Sequence, residues 1–150
     1  MKKSILMIMS LAMLIAAGTI SASAQITDRL VANIPFDFTV RDKILPAGKY
    51  FIKPLDTYDE GAFEMQNAQG KKVSVFLGEN ATAATMPEKT ELIFNRIGDR
   101  YFLSEIFEGG NNLGIELEKS HAEKRLEKTG LVSERQIFIL NQQNLVRAGN

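Results

Sequence analysis

The side chains able to do chemistry are few and scattered. His121 is the only histidine, and there is no cysteine. A zinc site, which draws several ligands from those two residue types, therefore lacks its donors. A Ser-His-Asp relay would have to use His121, and neither Ser104 nor Ser120 sits in a G-x-S-x-G turn. Between Ser120 and Ala122 on a charged stretch, His121 reads as a solvated side chain. Asp56, Asp59 and Glu60, in DTYDEG, form the densest acidic cluster. Oxygen-rich loops hold calcium, but this spacing departs from the alternating D-x-[DN]-x-[DN]-G pattern, and aspartate with glycine favours a plain turn. Glu105 and Glu108 flank a strand end, and spacing identifies no opposing carboxylate for paired acid–base chemistry. Arg96, Asp99, Arg100 and Tyr101 gather about one Gly98-Asp99 turn. Arginine and tyrosine are the usual anchors of interfaces, so this tip is the candidate surface for an anion or a protein partner. The alternative is that the four are cross-strand neighbours packing on one another. No glycine-rich phosphate loop, dinucleotide fingerprint or basic–aromatic stripe is present. The expectation is no catalytic residue, no cofactor and no metal.

The elements that would carry these residues are mostly strands. Leu30, Ala32, Ile34, Phe36, Phe38 and Val40 share one parity, with Asn33, Asp37 and Thr39 between them. Such alternation predicts a half-buried strand, and Pro35, having no N–H for a ladder, makes it an edge strand or interrupts it. Pro46-Ala47-Gly48 reads as a turn, and a second strand leaves through Tyr50 and Ile52. Ala62–Asn67 carries Phe63 and Met65 on one face. Asn67-Ala68-Gln69-Gly70 turns the chain, and Val73, Val75 and Leu77 alternate against Phe76, so the two runs predict a hairpin. Gly78–Lys89 reads as a loop. Thr90–Ile97 and Arg100–Phe107 predict a central hairpin of type II′, with Gly98 first in its turn. Ser120-His121-Ala122-Glu123 has capping-box spacing and Gly130 is a natural stop, so a short helix lies between them with Ala122 and Leu126 facing inward. Gln136–Leu140, QIFIL, reads as a buried final strand, followed by a frayed tail from Asn141. The predicted fold is mainly β: a small antiparallel β-sandwich or partly closed β-barrel with one short helix in the C-terminal half. A membrane barrel is disfavoured, because most strands are shorter than the roughly 9–11 residues such walls need and Ser120–Lys128 fits no barrel wall.

The first 24 residues belong to targeting rather than fold. Lys2 and Lys3 precede an apolar run from Ile5 to Ala17, and Ala22-Ser23-Ala24 supplies the small residues of a cleavage site. This predicts a secretory signal peptide cut between Ala24 and Gln25. The uninterrupted run is too short for the roughly 20 residues of a membrane span. Without cysteine, neither a lipoprotein anchor nor a disulfide is available. Residues 25–150 then form a single β-rich domain of 126 residues, 42 of them Val, Ile, Leu, Met, Phe or Tyr. That supply suffices for one core without metal or disulfide staples. With Lys2 and Lys3 removed, 16 basic residues stand against 18 acidic ones. A charge so near neutral predicts no nucleic-acid partner and no anionic-membrane partner.

The segments IPFDFTVRDKILPAGKY, LIFNRIGDRYFLSEIF and ELEKSHAEKRLEK together resemble a group of small uncharacterised exported bacterial proteins. The shared motifs are a P-F-x-F-x-V strand with an L-P-A-G-x-Y turn, a G-D-x-Y-F-L-S hairpin and a charged E-L-x-K-S-x-A-E helix. The resemblance spans most of residues 30–128. It implies a periplasmic or secreted single domain and no particular activity. From residues and resemblance together, the expected function is a non-enzymatic β-domain of the bacterial cell envelope, acting as a protein-binding or structural module. Two further readings stand beside it: a periplasmic carrier of a small apolar ligand, with which the nine phenylalanines are compatible, and an extracytoplasmic hydrolase. The expected partner is an envelope protein or a small apolar ligand, with no stable membrane insertion after cleavage.

Overall fold

A computed structural model describes residues 29–55 and 61–140. The signal-peptide reading, its Ala24/Gln25 cut, the Asp56/Asp59/Glu60 cluster and the tail from Asn141 lie outside the described residues. The fold is mainly β, with ten strands and one short helix among those residues. The strands are β1 (Leu30–Ile34), β2 (Phe38–Val40), β3 (Lys43–Leu45), β4 (Gly48–Pro54) and β5 (Ala62–Asn67). They continue as β6 (Lys72–Thr82), β7 (Glu91–Ile97), β8 (Arg100–Phe107), β9 (Leu113–Leu117) and β10 (Ser133–Ile139), with helix α1 (His121–Lys128) before the last. Pairing runs β1-β4-β5-β6-β9-β8-β2-β3 without closing, and β7 and β10 extend the layer from β8. The result is a small β-sandwich rather than a closed barrel.

The chain passes from one layer to the other at two places, a break between strands at Pro35 and a change of ladder partner at Gly78. The alternating run expected as one strand is two, β1 and β2, interrupted at Pro35-Phe36-Asp37. Proline has no ladder donor, so the chain bends there, and β2 joins β8 in parallel while β1 stays with β4. Asp37 accepts the Ala47 amide at 2.8 Å and so ties this bend to the Pro46-Ala47-Gly48 turn. The second crossing corrects the first part of the loop expected over Gly78–Lys89: Gly78–Thr82 is strand, and residues 83–89 are irregular as expected. β6 pairs with β5 through Leu77, then with β9 from Gly78 to Thr82. A strand that switches layers makes a corner of a sandwich. Any β-carbon at Gly78 would come within 2.9 Å of Ile115, so only glycine fits the turn between layers. The polar composition of Glu79-Asn80 reflects an exposed strand end, not a loop.

The predicted β5–β6 and β7–β8 hairpins form. Phe63 and Met65 face inward as expected, and Phe76 joins them with no exposure, whereas Val75 and Leu77 point to solvent. At the β7–β8 turn Gly98 takes φ +65° and Asp99 does not take a positive φ, the sign pattern of type II′. A bulge between Ile93 and Phe94 explains why alternation alone could not set this hairpin's register. Ile93 opposes Glu105 and Phe94 opposes Leu103, which leaves Ser104 as the extra residue. The Ser104 hydroxyl donates to the Ile93 carbonyl at 3.1 Å. Beyond the bulge the parity flips, so Leu103 and Ile106 both reach the core.

The space between the layers is filled. Phe38, Phe76 and Phe94 are essentially unexposed, packed with Ile34, Ile52, Met65, Leu92 and Ile106. Phe38 stands edge-on to Tyr50 and Phe94, at 5.2 and 5.7 Å between ring centres, a favoured aromatic geometry. Phe36 covers one end of this core, stacked on Tyr101 at 4.2 Å and edge-on to Phe94 and Phe138.

Helix α1 begins as the sequence predicts. Ser120 Oγ accepts the Glu123 amide at 3.0 Å, and Gly130, at φ +82°, ends the turn that follows. Its inward residue is different. Glu123 is the buried side chain, and it receives a hydrogen bond from Asn95 of β7 at 2.8 Å. Ala122 and Leu126 are only half-buried.

The final strand is a second correction. β10 starts at Ser133 and pairs along all seven residues with β7 alone. Ile137 and Ile139 are 54% and 46% exposed, and only Leu140, just past the strand, is buried. QIFIL is apolar because one of its faces meets the core and the other lines the surface described next.

Candidate functional site

Among the described residues, Ser104, Ser120 and His121 are each engaged in a separate structural contact. Ser104 bridges its bulge, and Ser120 caps α1. His121 is exposed, with its ring Nδ1 3.2 Å from Asp42 Oδ2, while its backbone amide donates to Asp42 Oδ1 at 3.1 Å. The His121 hydrogen bond holds the Asp42 carboxyl below its ordinary value. The pair fastens the β2–β3 turn to the helix start. Among the described residues no group of three or more His, Cys, Asp or Glu side chains could hold a metal ion.

The hairpin tip resolves into separate contacts. Arg96 and Tyr101 are cross-strand partners, as are Ile97 and Arg100. The Arg96 guanidinium lies 5.8 Å from the Tyr101 ring centre, its Nε donates to the Gly98 carbonyl at 3.0 Å, and Glu134 is 3.9 Å away. Arg100 lies over Phe102 at 5.1 Å, while Tyr101 is stacked on Phe36. Each arginine covers a ring of its own, and Asp99 occupies the turn itself. The geometry is the cross-strand packing reading, and the two cations do not converge on one point.

What the fold assembles instead is a groove on the outer face of the β10-β7-β8 layer. Register places two cross-strand rows there: Ile139 beside Glu91 beside Phe107, and Ile137 beside Ile93 beside Glu105. These rows form the floor. The third row, Arg135 beside Asn95, meets α1 through the Asn95–Glu123 hydrogen bond. The helix thus covers one half of this face and leaves the other half open. The wall is the connection 82–90 from β6 to β7, where Met86 is 59% exposed. The groove is open to solvent and its volume is about 810 Å³, within the range of small-molecule sites, roughly 300–1,000 Å³.

The wall is held in place by its own backbone. The Ala83 amide donates to the Asn112 carbonyl at 2.8 Å, and Pro87 accepts from the Gly110 amide at 2.8 Å. The Gly109 amide donates to Thr90 Oγ1 at 3.2 Å. Gly109 lies so close to Lys89 that an added β-carbon would stand 2.8 Å from the Lys89 Cα. The β8–β9 turn and the wall therefore form one packed unit. The groove's lining includes Glu88, Lys89 and Glu91 and one ion pair. Arg135 engages Glu105 through both guanidinium nitrogens, at 2.6 and 3.0 Å, the bidentate geometry of strong carboxylate–arginine pairs. Apart from Glu91, the rest of the floor is apolar: Ile93, Phe107, Ile137 and Ile139.

Sequence reasoning missed this site for a definable reason. Ile137 and Ile139 carry the alternation of a two-faced strand, and Arg135 shares their parity. The apolar composition of QIFIL masks this alternation and predicts a buried strand. Which face lacked a cover depended on where α1 docks.

Comparison with protein-family models, with curated proteins and with solved structures finds no match to this chain. Among the described residues no helix is long and apolar enough to cross a membrane.

Proposed function

We propose that this chain is an exported, non-enzymatic module of the bacterial cell envelope that binds a partner protein through the groove face. The observation that carries this reading is an exposed apolar surface (Met86, Ile137 and Ile139) on a wall and floor already held in shape. Exposed apolar patches rimmed by polar groups are what interaction sites present, and a preformed one avoids part of the ordering cost of binding. The charged start of the chain and its Ala22-Ser23-Ala24 segment support export, with cleavage between Ala24 and Gln25 and a periplasmic or secreted product. The dispersal of Ser104, Ser120 and His121 into structural roles supports a module without catalysis.

The test is a photo-activatable cross-linker at Met86 in exporting cells, with Val75 on the opposite layer as control. Val75 is also exposed, at 42%. The expected result is one discrete protein adduct from Met86 and none from Val75. Equal patterns from both sites, or no adduct from Met86, would remove the reading.

A carrier of a small apolar ligand is the second reading, favoured by the groove's volume. Its ligand would lie in the groove, because Phe38, Phe76 and Phe94 fill the space between the layers. Native mass spectrometry of the exported protein decides it. Extra mass lost on denaturation supports a carrier, and a bare polypeptide mass opposes one.

A further inference from the structure

We infer that the free edge of β10 is a self-association seam, where two copies of this chain join their sheets in one antiparallel ladder. The inference goes beyond the partner-binding reading and does not depend on it. It starts from the state of the edges. An edge strand presents unpaired N–H and C=O groups, and proteins usually blunt it with shortness, lysine, proline or a bulge. β3 is three residues long and begins at Lys43, and β1 ends against Pro35. β10 is less protected: its only charges, Glu134 and Arg135, are each paired within the chain, with Arg96 at 3.9 Å and Glu105 at 2.6 Å. It is seven residues long, contains neither lysine nor proline, and pairs with β7 without a register shift. Among the described residues no strand pairs with its other side.

The strand is also complementary to itself. A two-fold axis joining two sheets edge to edge must stand normal to them, so every side chain keeps its own face. Directly opposed residues share a face. Only registers in which opposed residues have the same parity are therefore open, and the axis passes through one residue and its mate. Placing it on Gln136, the middle of β10, pairs all seven residues of each strand. Gln136 then meets its own copy, and its exposed amide can both donate and accept across the axis. Arg135 lies opposite Ile137 of the second copy, and Glu134 lies opposite Phe138. No like charges oppose one another. Arg135 is already neutralised by Glu105 at 2.6 Å, so its aliphatic stem is free to cover the second copy's Ile137. An axis on Arg135 would instead set arginine against arginine. The Gln136 register brings the exposed Ile137 and Ile139 of both copies onto one face and places the two grooves side by side.

Charge at one position tests the register. Ile137→Lys would face Arg135 across the seam and should shift sedimentation of the full exported chain from dimer to monomer. Ile137→Glu would face the same arginine and should keep the dimer. The natural chain has no cysteine, so single cysteines report distance. Gln136→Cys should form an intermolecular disulfide on mild oxidation, since opposed Cα atoms lie about 4.5–5.5 Å apart, inside disulfide range. Ile137→Cys should not, because its copy is displaced by two residues, roughly 7–8 Å away on the diagonal. A natural chain that is monomeric at every concentration overturns the inference. So does a dimer equally insensitive, or equally sensitive, to lysine and glutamate at 137, or cross-linking at 137 in place of 136. If the lysine variant fails to fold, the cysteine pair decides alone. The Met86 adduct is a separate readout, so loss of the seam with that adduct intact removes only this inference.

Discussion

The two faces of the β10-β7-β8 layer are built from similar side chains and end in different environments. On the inner face Leu92, Phe94 and Ile106 have no exposure, because a second layer presses on them. On the outer face Ile93 and Phe107 are equally sealed, yet Ile137 and Ile139 of the adjoining strand stand about half in water. The contrast follows strand position: Ile93 and Phe107 lie on β7 and β8, whereas Ile137 and Ile139 lie on the outermost strand, and the eight-residue α1 meets this face at Asn95. One face is spent on holding the fold, and the other leaves apolar surface free for contact.

The largest effect that could break this comparison is on the inner face. Phe94→Ala should cost about 3–5 kcal/mol in denaturant unfolding, since its ring packs against Phe36 and Phe38 and nothing can collapse into the space. A loss below about 1 kcal/mol would mean the inner face is not the sealed one. Next, Gly114→Val should cost about 1–3 kcal/mol or more, because its β-carbon would collide with the Phe107 ring and the Ile106 carbonyl. That ring belongs to the groove floor, so the Met86 adduct should weaken together with the thermal midpoint. Ser120→Ala should cost about 1 kcal/mol by removing the cap of α1, and Ser120→Asp should recover most of it.

A smaller, pH-dependent effect sharpens the boundary between helix and groove. Burial pushes the Glu123 carboxyl above its ordinary 4.5, against the Asn95 hydrogen bond that favours its charged form. The folded chain therefore holds this proton at pH values where the unfolded chain has released it, so stability falls as pH rises through that window. Glu123→Gln keeps an acceptor for Asn95 and cannot ionise. Wild type should lose ground to it as pH climbs from 4.5 through the raised folded value, and the two stability curves should run parallel below 4.5. Curves that stay parallel throughout would place Glu123 in water. The smallest expected change is Ile139→Lys, within about 0.5 kcal/mol in stability because the side chain is half exposed. It should still abolish the Met86 adduct, separating the groove's binding role from the fold.

Much of the architecture was legible in the residues, for local reasons. Gly98-Asp99 closes its hairpin because only glycine takes the required φ without strain. Ser120 starts the helix because its hydroxyl reaches the third amide on. The break at Pro35 follows from a missing donor. The inward set of Leu30, Ala32, Ile34, Phe38 and Val40 follows from alternation alone. Three features were not legible in the same way. Gly78–Thr82 looked like a loop, because its hydrogen-bond partners lie in β9, more than 30 residues on. The Ser104 bulge flips parity in the middle of β8, and nothing in YFLSEIF marks the extra residue. The arginines at the tip proved to be separate ring covers, because register, rather than proximity in sequence, chose their neighbours.

By itself the sequence determined the class of fold, the turns and the helix cap, since each depends on residue type over a few positions. The tertiary structure alone decided that β6 serves both layers, that Glu123 and not Leu126 is the residue α1 buries, and that β10 is a bare edge beside a groove. Those outcomes rest on which distant surfaces meet. A strand such as QIFIL has the same composition whether its second face is covered or open, and its place as the outermost strand leaves it open here.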